Sequence, residues 1–89
     1  MFITLKPKND APVIAFSAIA QPEQFYKFLR RYDVLDTKDF SDHHIYTKDD
    51  VEELKALKEK YGAKYMITTE KDAVKLKEIL DTDEGIFAL

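Results

Sequence analysis

The strongest constraint on the fold is a nearly uninterrupted apolar run, Val13-Ile14-Ala15-Phe16-Ser17-Ala18-Ile19. A strand with one face in water alternates apolar and polar residues, whereas a strand covered on both faces is apolar throughout. The run therefore predicts a buried strand of a parallel sheet that has helices on both sides.

The rest of the chain alternates between helical and extended patterns. Phe25, Phe28, Leu29 and Tyr32 have the spacing of an amphipathic helix, and Pro22 suits its first position. The other predicted elements are a strand over 33–40, a helix from Thr47 to Gly62 with Val51, Leu54, Leu57 and Tyr61 inward, a strand over 63–68, a helix from Thr69 with Ala73, Leu76 and Leu80 buried, and a strand over 86–89.

Strands that alternate with helices indicate an α/β fold. We expect residues 1–89 to form a single α/β domain, a small three-layer Rossmann-like domain. Its mostly parallel sheet would have about four to five strands with helices on both faces, counting a short strand over residues 2–6. The final strand ends the chain without a tail to shield it, so we expect the chain to be part of a longer protein.

Composition excludes several classes of protein. Fourteen basic against seventeen acidic side chains give a net charge of −3, which argues against nucleic acid as a partner. The absence of cysteine excludes disulfides and thiolate metal sites and favours a reducing compartment. With two glycines and no GxxxxGK[ST] motif, these residues carry no P-loop. The longest apolar run is far shorter than a membrane span of about 20 residues, so we expect a soluble piece.

Ligands of parallel α/β sheets bind outside the carboxyl ends of the strands. Three segments leave predicted strands at that edge, residues 18–21, 41–46 and 68–71, so we expect them to share one rim. In the last segment, Thr69, Glu70, Lys71 and Asp72 open a helix whose first N–H groups attract anions. A second interpretation stays open, in which this is only a well-capped helix with its lysines in solvent.

Asp42-His43-His44 offers a base that works near neutral pH beside a carboxylate that can orient it. Neighbouring residues of an extended chain point in opposite directions, so both histidines could face one site only if the loop turns. The segment can equally be a polar loop with an Asx turn. A metal site lacks a third histidine or a cysteine, and we predict none.

Three segments together resemble the C-terminal part of the tetraacyldisaccharide 4′-kinase family. They are residues 15–25 (AFSAIAQPEQF), 40–46 (FSDHHIY) and 68–75 (TTEKDAVK), and the resemblance covers roughly residues 10–89. It implies an enzyme that uses ATP and Mg²⁺ to phosphorylate the lipid A precursor of Gram-negative bacteria, on the cytoplasmic side of the inner membrane. The N-terminal P-loop domain of the parent chain would hold ATP and Mg²⁺, contact the membrane and be the partner of this domain.

The resemblance also implies roles for individual residues. His43, with Asp42 as its neighbour, would line the cleft between the domains and prepare the sugar 4′-hydroxyl for attack. Thr69, Glu70, Lys71 and Asp72 would bind substrate or position the domains. The family usually has glycine where Ala18 stands. Alanine lacks the easy access to positive φ that glycine has. The isolated fragment would bind no cofactor and would be inactive alone.

The residues also allow an alternative from another class of protein. A non-catalytic Rossmann-like module could bind an anionic ligand or dock a protein partner through the same rim. It would use Thr68, Thr69 and Lys71, and His43 would be incidental.

Overall fold

A computed structural model describes residues 10–80 and 85–88 of the chain. The short strand predicted over residues 2–6 lies outside the described residues, as do most of the predicted loop after residue 80 and the end of the final strand.

Strands and helices alternate in this part of the chain as the sequence predicts. Their bounds are β1 Pro12–Ser17, α1 Pro22–Lys27, β2 Asp33–Asp39, α2 Lys48–Tyr61, β3 Tyr65–Thr68, α3 Glu70–Leu76 and β4 Ile86–Ala88. The strands form one sheet in the order β2-β1-β3-β4, and every neighbouring pair is parallel. The predicted α/β class, with a parallel sheet between helices, is confirmed.

The order in which strands are added to the sheet reverses once, at β1. From β1 the chain moves outward to β2, and it then crosses back to β3 on the other side of β1 before reaching β4. The connections after β1 and β3 therefore leave neighbouring strands toward opposite faces of the sheet, since α1 packs on one face and α2 and α3 on the other. Such a reversal opens a crevice at the carboxyl ends of the two strands.

β1 is buried on both faces, as its apolar run predicts. Ile14 and Phe16 belong to the core under α2 and α3, while Val13 and Ala15 belong to the core under α1. Each Å² of apolar surface removed from water contributes about 25 cal/mol, so burial on both faces stabilises the sheet.

The first helix differs from the prediction. α1 ends at Lys27, and the backbone N–H of Phe28 bonds to the carbonyl of Phe25 in a tighter turn. After that point the residue spacing of an α-helix no longer describes which side chains share a face. Leu29 and Tyr32 still reach the core, but Phe28 is 72% exposed and does not join the apolar face that the spacing predicted.

The second helix has the predicted ends. Thr47 and Asp50 form a capping box at its start, and Gly62 terminates it with a φ of 69°. Val51 and Leu54 are buried, but Tyr61 is 42% exposed, against the prediction. Tyr61 lies in the last turn, immediately before the chain turns at Gly62, so helical spacing alone does not bring it into the core.

The third helix begins where predicted but is shorter. α3 ends at Leu76, which is buried together with Ala73. Leu80 lies beyond the helix and is only partly buried against the same core.

Candidate functional site

The three connections that leave β1, β2 and β3 meet at one buried carboxylate, Asp72. Its Oδ1 atom accepts the backbone N–H of Ala18 at 3.2 Å and the hydroxyl of Tyr46 at 3.1 Å. Asp72 is 0% exposed, and its partners lie 54 and 26 residues away in the sequence. The predicted common rim is confirmed, with an acidic side chain at its centre.

The start of α3 explains why Asp72 points into the protein. Thr69 is the N-cap residue, and its Oγ1 atom accepts the backbone N–H of Asp72 at 3.1 Å. The same hydroxyl donates to Asp72 Oδ2 at 2.6 Å. Thr69 therefore caps the helix as predicted. In a capping box the Asp72 carboxylate would accept the backbone N–H of Thr69. Here it accepts the hydroxyl of Thr69 instead.

The hydroxyl at the end of β3 is also used inside the fold. Thr68 is buried, and its Oγ1 atom donates to the carbonyl of Phe16 at 2.8 Å, which joins β3 to β1 at the crevice. Glu70 and Lys71, in contrast, are exposed. Of the predicted rim residues, these two present their side chains to solvent, Thr69 is partly buried, and Asp72 is enclosed.

Residues 41–44 form a tight turn. The sequence had left open whether this loop turns. The backbone N–H of His44 donates to the carbonyl of Ser41 at 2.9 Å, and His43 has a φ of 66°. The side chain of His43 is 79% exposed, and its Nε2 atom lies 3.6 Å from Asp42 Oδ2. The turn thus presents an imidazole and a neighbouring carboxylate to solvent.

His44 points into the protein and has a different role. Its ring stacks on Phe40 with a centroid distance of 4.7 Å, and its Nε2 atom lies 2.8 Å from Asp50 Oδ2. The same Asp50 oxygen accepts the backbone N–H of Thr47 at 2.9 Å. His44 therefore anchors the turn to the start of α2. The sequence reasoning did not find this contact, although the capping box that begins three residues after His44 was a usable signal.

Two groups near the turn have shifted pKa values. Burial, together with the charge of Asp72 and the hydrogen bond to it, raises the pKa of Tyr46 far above its usual value, so its hydroxyl stays a donor. Burial alone would raise the pKa of Asp50, but hydrogen bonds from His44 and Thr47 outweigh it and hold that pKa below its usual value.

The described residues contain no cluster of metal ligands, and one backbone donor of the crevice is already in use. Within residues 10–80 and 85–88, no three histidine or acidic side chains are grouped so that they could hold a metal ion. A phosphate in the crevice would need free backbone donors, but the N–H of Ala18 is already bonded to Asp72. Ala18 is not among the described residues with positive φ, so alanine fits this turn without strain.

An open groove of about 390 Å³ lies between β2 and α2, away from the rim. None of the predicted site residues lines it. Its lining residues are Asp36, Thr37, Lys38, Glu53, Leu54, Ala56, Leu57 and Lys60. The lining carries charges of both signs, and Lys38 Nζ pairs with Glu53 Oε1 at 3.0 Å.

Across the described residues, we find no helix that combines the length and the apolar character needed to cross a bilayer.

Comparison with known proteins places this arrangement in a family. The family model of tetraacyldisaccharide-1-P 4′-kinase matches residues 4–88. The chain is 42% identical over 79 residues to the tetraacyldisaccharide 4′-kinase of Hyphomonas neptunium, covering 86% of this chain and 23% of the relative. It is 42% identical over 67 residues to that of Bdellovibrio bacteriovorus, covering 73% of this chain and 20% of the relative.

A third relative, the tetraacyldisaccharide 4′-kinase of Halothermothrix orenii, is 35% identical over 88 residues, covering 91% of this chain and 23% of the relative. No solved structure matches significantly. The matches thus span only about a fifth to a quarter of the length of these curated relatives. Because the family model covers nearly the whole chain, this protein belongs to the tetraacyldisaccharide 4′-kinase family.

Proposed function

We propose that this chain is the C-terminal domain of a tetraacyldisaccharide 4′-kinase, which transfers a phosphoryl group from ATP to the 4′-hydroxyl of tetraacyldisaccharide 1-phosphate. Family membership and the small share of the relatives' length support this reading. The 89 residues contain no P-loop motif, so ATP and Mg²⁺ would be held by an N-terminal P-loop domain of the parent chain. The parent enzyme would act at the cytoplasmic side of the inner membrane, and the isolated chain would be inactive.

The observation that carries the proposed mechanism is the turn of residues 41–44. It presents the His43 imidazole to solvent, at the edge of the sheet where α/β proteins bind ligands. We assign to His43 the acceptance of the proton of the 4′-hydroxyl as that oxygen attacks the phosphoryl group. Asp42, 3.6 Å from the ring, would orient the imidazole.

The start of α3 would supply a second part of the cleft. Glu70 and Lys71 are exposed and can contact the lipid A precursor or the N-terminal domain. Thr69 and Asp72 are tied to each other and to the fold, so their contribution would be to hold this rim in place.

The alternative of an anion-binding module has less support. That reading uses the hydroxyl of Thr68, yet this hydroxyl already donates to the carbonyl of Phe16. One backbone donor of the crevice, the N–H of Ala18, is also already bonded, to Asp72.

The test uses the full-length enzyme with the substitution His43→Asn. Asparagine tolerates the positive φ of this position, so the imidazole is removed without straining the turn. We expect kcat for ATP-dependent phosphorylation of tetraacyldisaccharide 1-phosphate to fall by about 10²-fold, with an unchanged melting temperature.

A matched control is Ile45→Asn, which introduces the same side chain in the same loop at a residue that is 83% exposed. We expect its kcat to stay within about threefold of the wild type. Near wild-type turnover of His43→Asn would overturn the catalytic role and return residues 41–44 to a polar loop.

A further inference from the structure

The His43 side chain cannot hold itself in place. It is 79% exposed, so its direction depends on the backbone of the turn that carries it. Positioning matters greatly in phosphoryl transfer, where catalysis is mostly orientation and charge stabilisation. The contacts that fix residues 41–46 against the sheet therefore bear on the chemistry.

The turn is held on its two sides by different contacts. Before it, the backbone N–H of Phe40 donates to the carbonyl of Ser17 at 2.8 Å, which continues the pairing of β2 with β1. After it, Tyr46 is buried with its ring edge-on to Phe16, at a centroid distance of 6.0 Å. The hydroxyl of Tyr46 then extends to Asp72.

Two hydrogen bonds connect residues 41–46 to helices, and their partners lie at different distances along the sequence. His44 bonds to Asp50, which is only six residues away and belongs to the first turn of α2. Tyr46 bonds to Asp72, 26 residues away in α3, and Asp72 in turn holds the end of β1 through the N–H of Ala18. The second bond thus connects the turn to both strands that border the crevice.

We propose that Asp72 and Tyr46 are positioning residues for His43, and that their hydrogen bond sets the direction in which the turn presents the imidazole to the sugar hydroxyl. The assignment rests on the proposed function of His43. Neither residue touches the reacting atoms, because both side chains are buried. Their effect on the reaction is transmitted through the backbone of residues 41–46.

The experiment measures kcat and KM of the full-length enzyme for Tyr46→Phe, His43→Asn and the double variant. Phenylalanine keeps the ring packing against Phe16 and removes only the hydroxyl. We expect Tyr46→Phe to lower kcat about tenfold with KM for ATP unchanged. Tyr61→Phe, the same change at an exposed residue at the far end of α2, should leave kcat within about twofold.

The double variant separates positioning from a general loss of stability. If Tyr46 acts through His43, removing the Tyr46 hydroxyl should lower kcat by less than twofold in the His43→Asn background. A tenfold loss that persists in the His43→Asn background would overturn the inference, as would a Tyr46→Phe enzyme with wild-type kcat. A wild-type kcat for His43→Asn would instead overturn the proposed catalytic role of His43, so the failure of that role and the failure of the positioning inference are distinguishable.

Asp72→Asn provides a second test, which asks whether the carboxylate charge of Asp72 itself acts in the reaction. The amide oxygen can accept from Ala18 and Tyr46, and the amide nitrogen can donate to Thr69, so the hydrogen-bonded geometry is kept without the charge. We expect kcat to fall by no more than about threefold. A larger loss would mean that the carboxylate charge itself acts in the reaction, which contradicts a positioning role.

Discussion

Two helices of this protein begin with the same pattern, Thr-x-x-Asp, and use it differently. At the start of α2, Asp50 accepts the N-cap backbone N–H of Thr47 and completes a capping box at the surface. At the start of α3, Asp72 is enclosed, and its carboxylate bonds to groups from two distant segments. The threonine caps its helix in both cases.

The difference shows what a local pattern determines. A threonine hydroxyl reaches the N–H three residues ahead because the geometry of a helix start places it there. The aspartate has a second oxygen and a choice of donors, and its surroundings decide among them. α2 starts beside a surface turn, whereas α3 starts at the crevice between β1 and β3, where the N–H of Ala18 needs an acceptor.

The largest expected effect is on the buried aspartate. Asp72→Ala leaves the N–H of Ala18 and the hydroxyl of Tyr46 without an acceptor in a dry environment. Each unpaired buried group costs about 1–3 kcal/mol, so we expect the free energy of unfolding of this chain to fall by about 2–6 kcal/mol. Urea denaturation followed by circular dichroism measures the change.

Glu59→Ala, at an exposed position of α2, is the control for the loss of an acidic side chain, and should shift the free energy of unfolding by less than about 0.5 kcal/mol. A loss for Asp72→Ala of about 1 kcal/mol or less would make the two helix starts equivalent and remove the distinction between them.

A smaller effect is expected at the surface cap. Asp50→Ala removes half of a capping box and the partner of His44, which should cost about 1–2 kcal/mol at pH 7. The folded-state pKa of Asp50 is lowered from its usual 3.8, so its ionised form stabilises the fold. This contribution is present above that value and is lost as the pH falls through the lower folded-state pKa.

The stability difference between wild type and Asp50→Ala should therefore shrink as the pH falls below 3.8. Unfolding curves at several pH values measure it. A difference that does not shrink below that pH would contradict the pKa direction and the role of the hydrogen bonds to Asp50.

The smallest effect is expected at His43, in the exposed turn of residues 41–44. His43→Asn should change the free energy of unfolding by less than about 0.5 kcal/mol, because the ring is exposed and asparagine tolerates the backbone. His43→Val gives the contrast, since a β-branched residue is strained at positive φ and should be clearly less stable. Equal stability of both variants would show that the turn relaxes.

The sequence predicted some features because they depend on near neighbours. The apolar run predicted β1, and the positions of Thr47, Asp50 and Gly62 predicted both ends of α2. The expectation that three segments share a rim also held, because the carboxyl ends of parallel strands lie at one edge.

Other predictions failed where helical spacing was extended too far. Phe28 continues the spacing of α1 in the sequence, but the helix has already ended and the tighter turn directs the ring outward. Tyr61 continues the spacing of α2 but occupies its last turn. Periodicity describes a helix only between its ends, and the sequence located the end of α1 poorly.

By itself, then, the sequence determined the alternation of strands and helices, the apolar faces and the helix caps, because these depend on residues within a few positions of one another. Only the tertiary structure decided that Asp72 is buried, that Tyr46 and Ala18 are its partners, and that His44 turns inward while His43 turns outward. These contacts join groups that the order of the strands brings together. A carboxylate selects its donors by position in space, and spacing along the chain does not reveal that position.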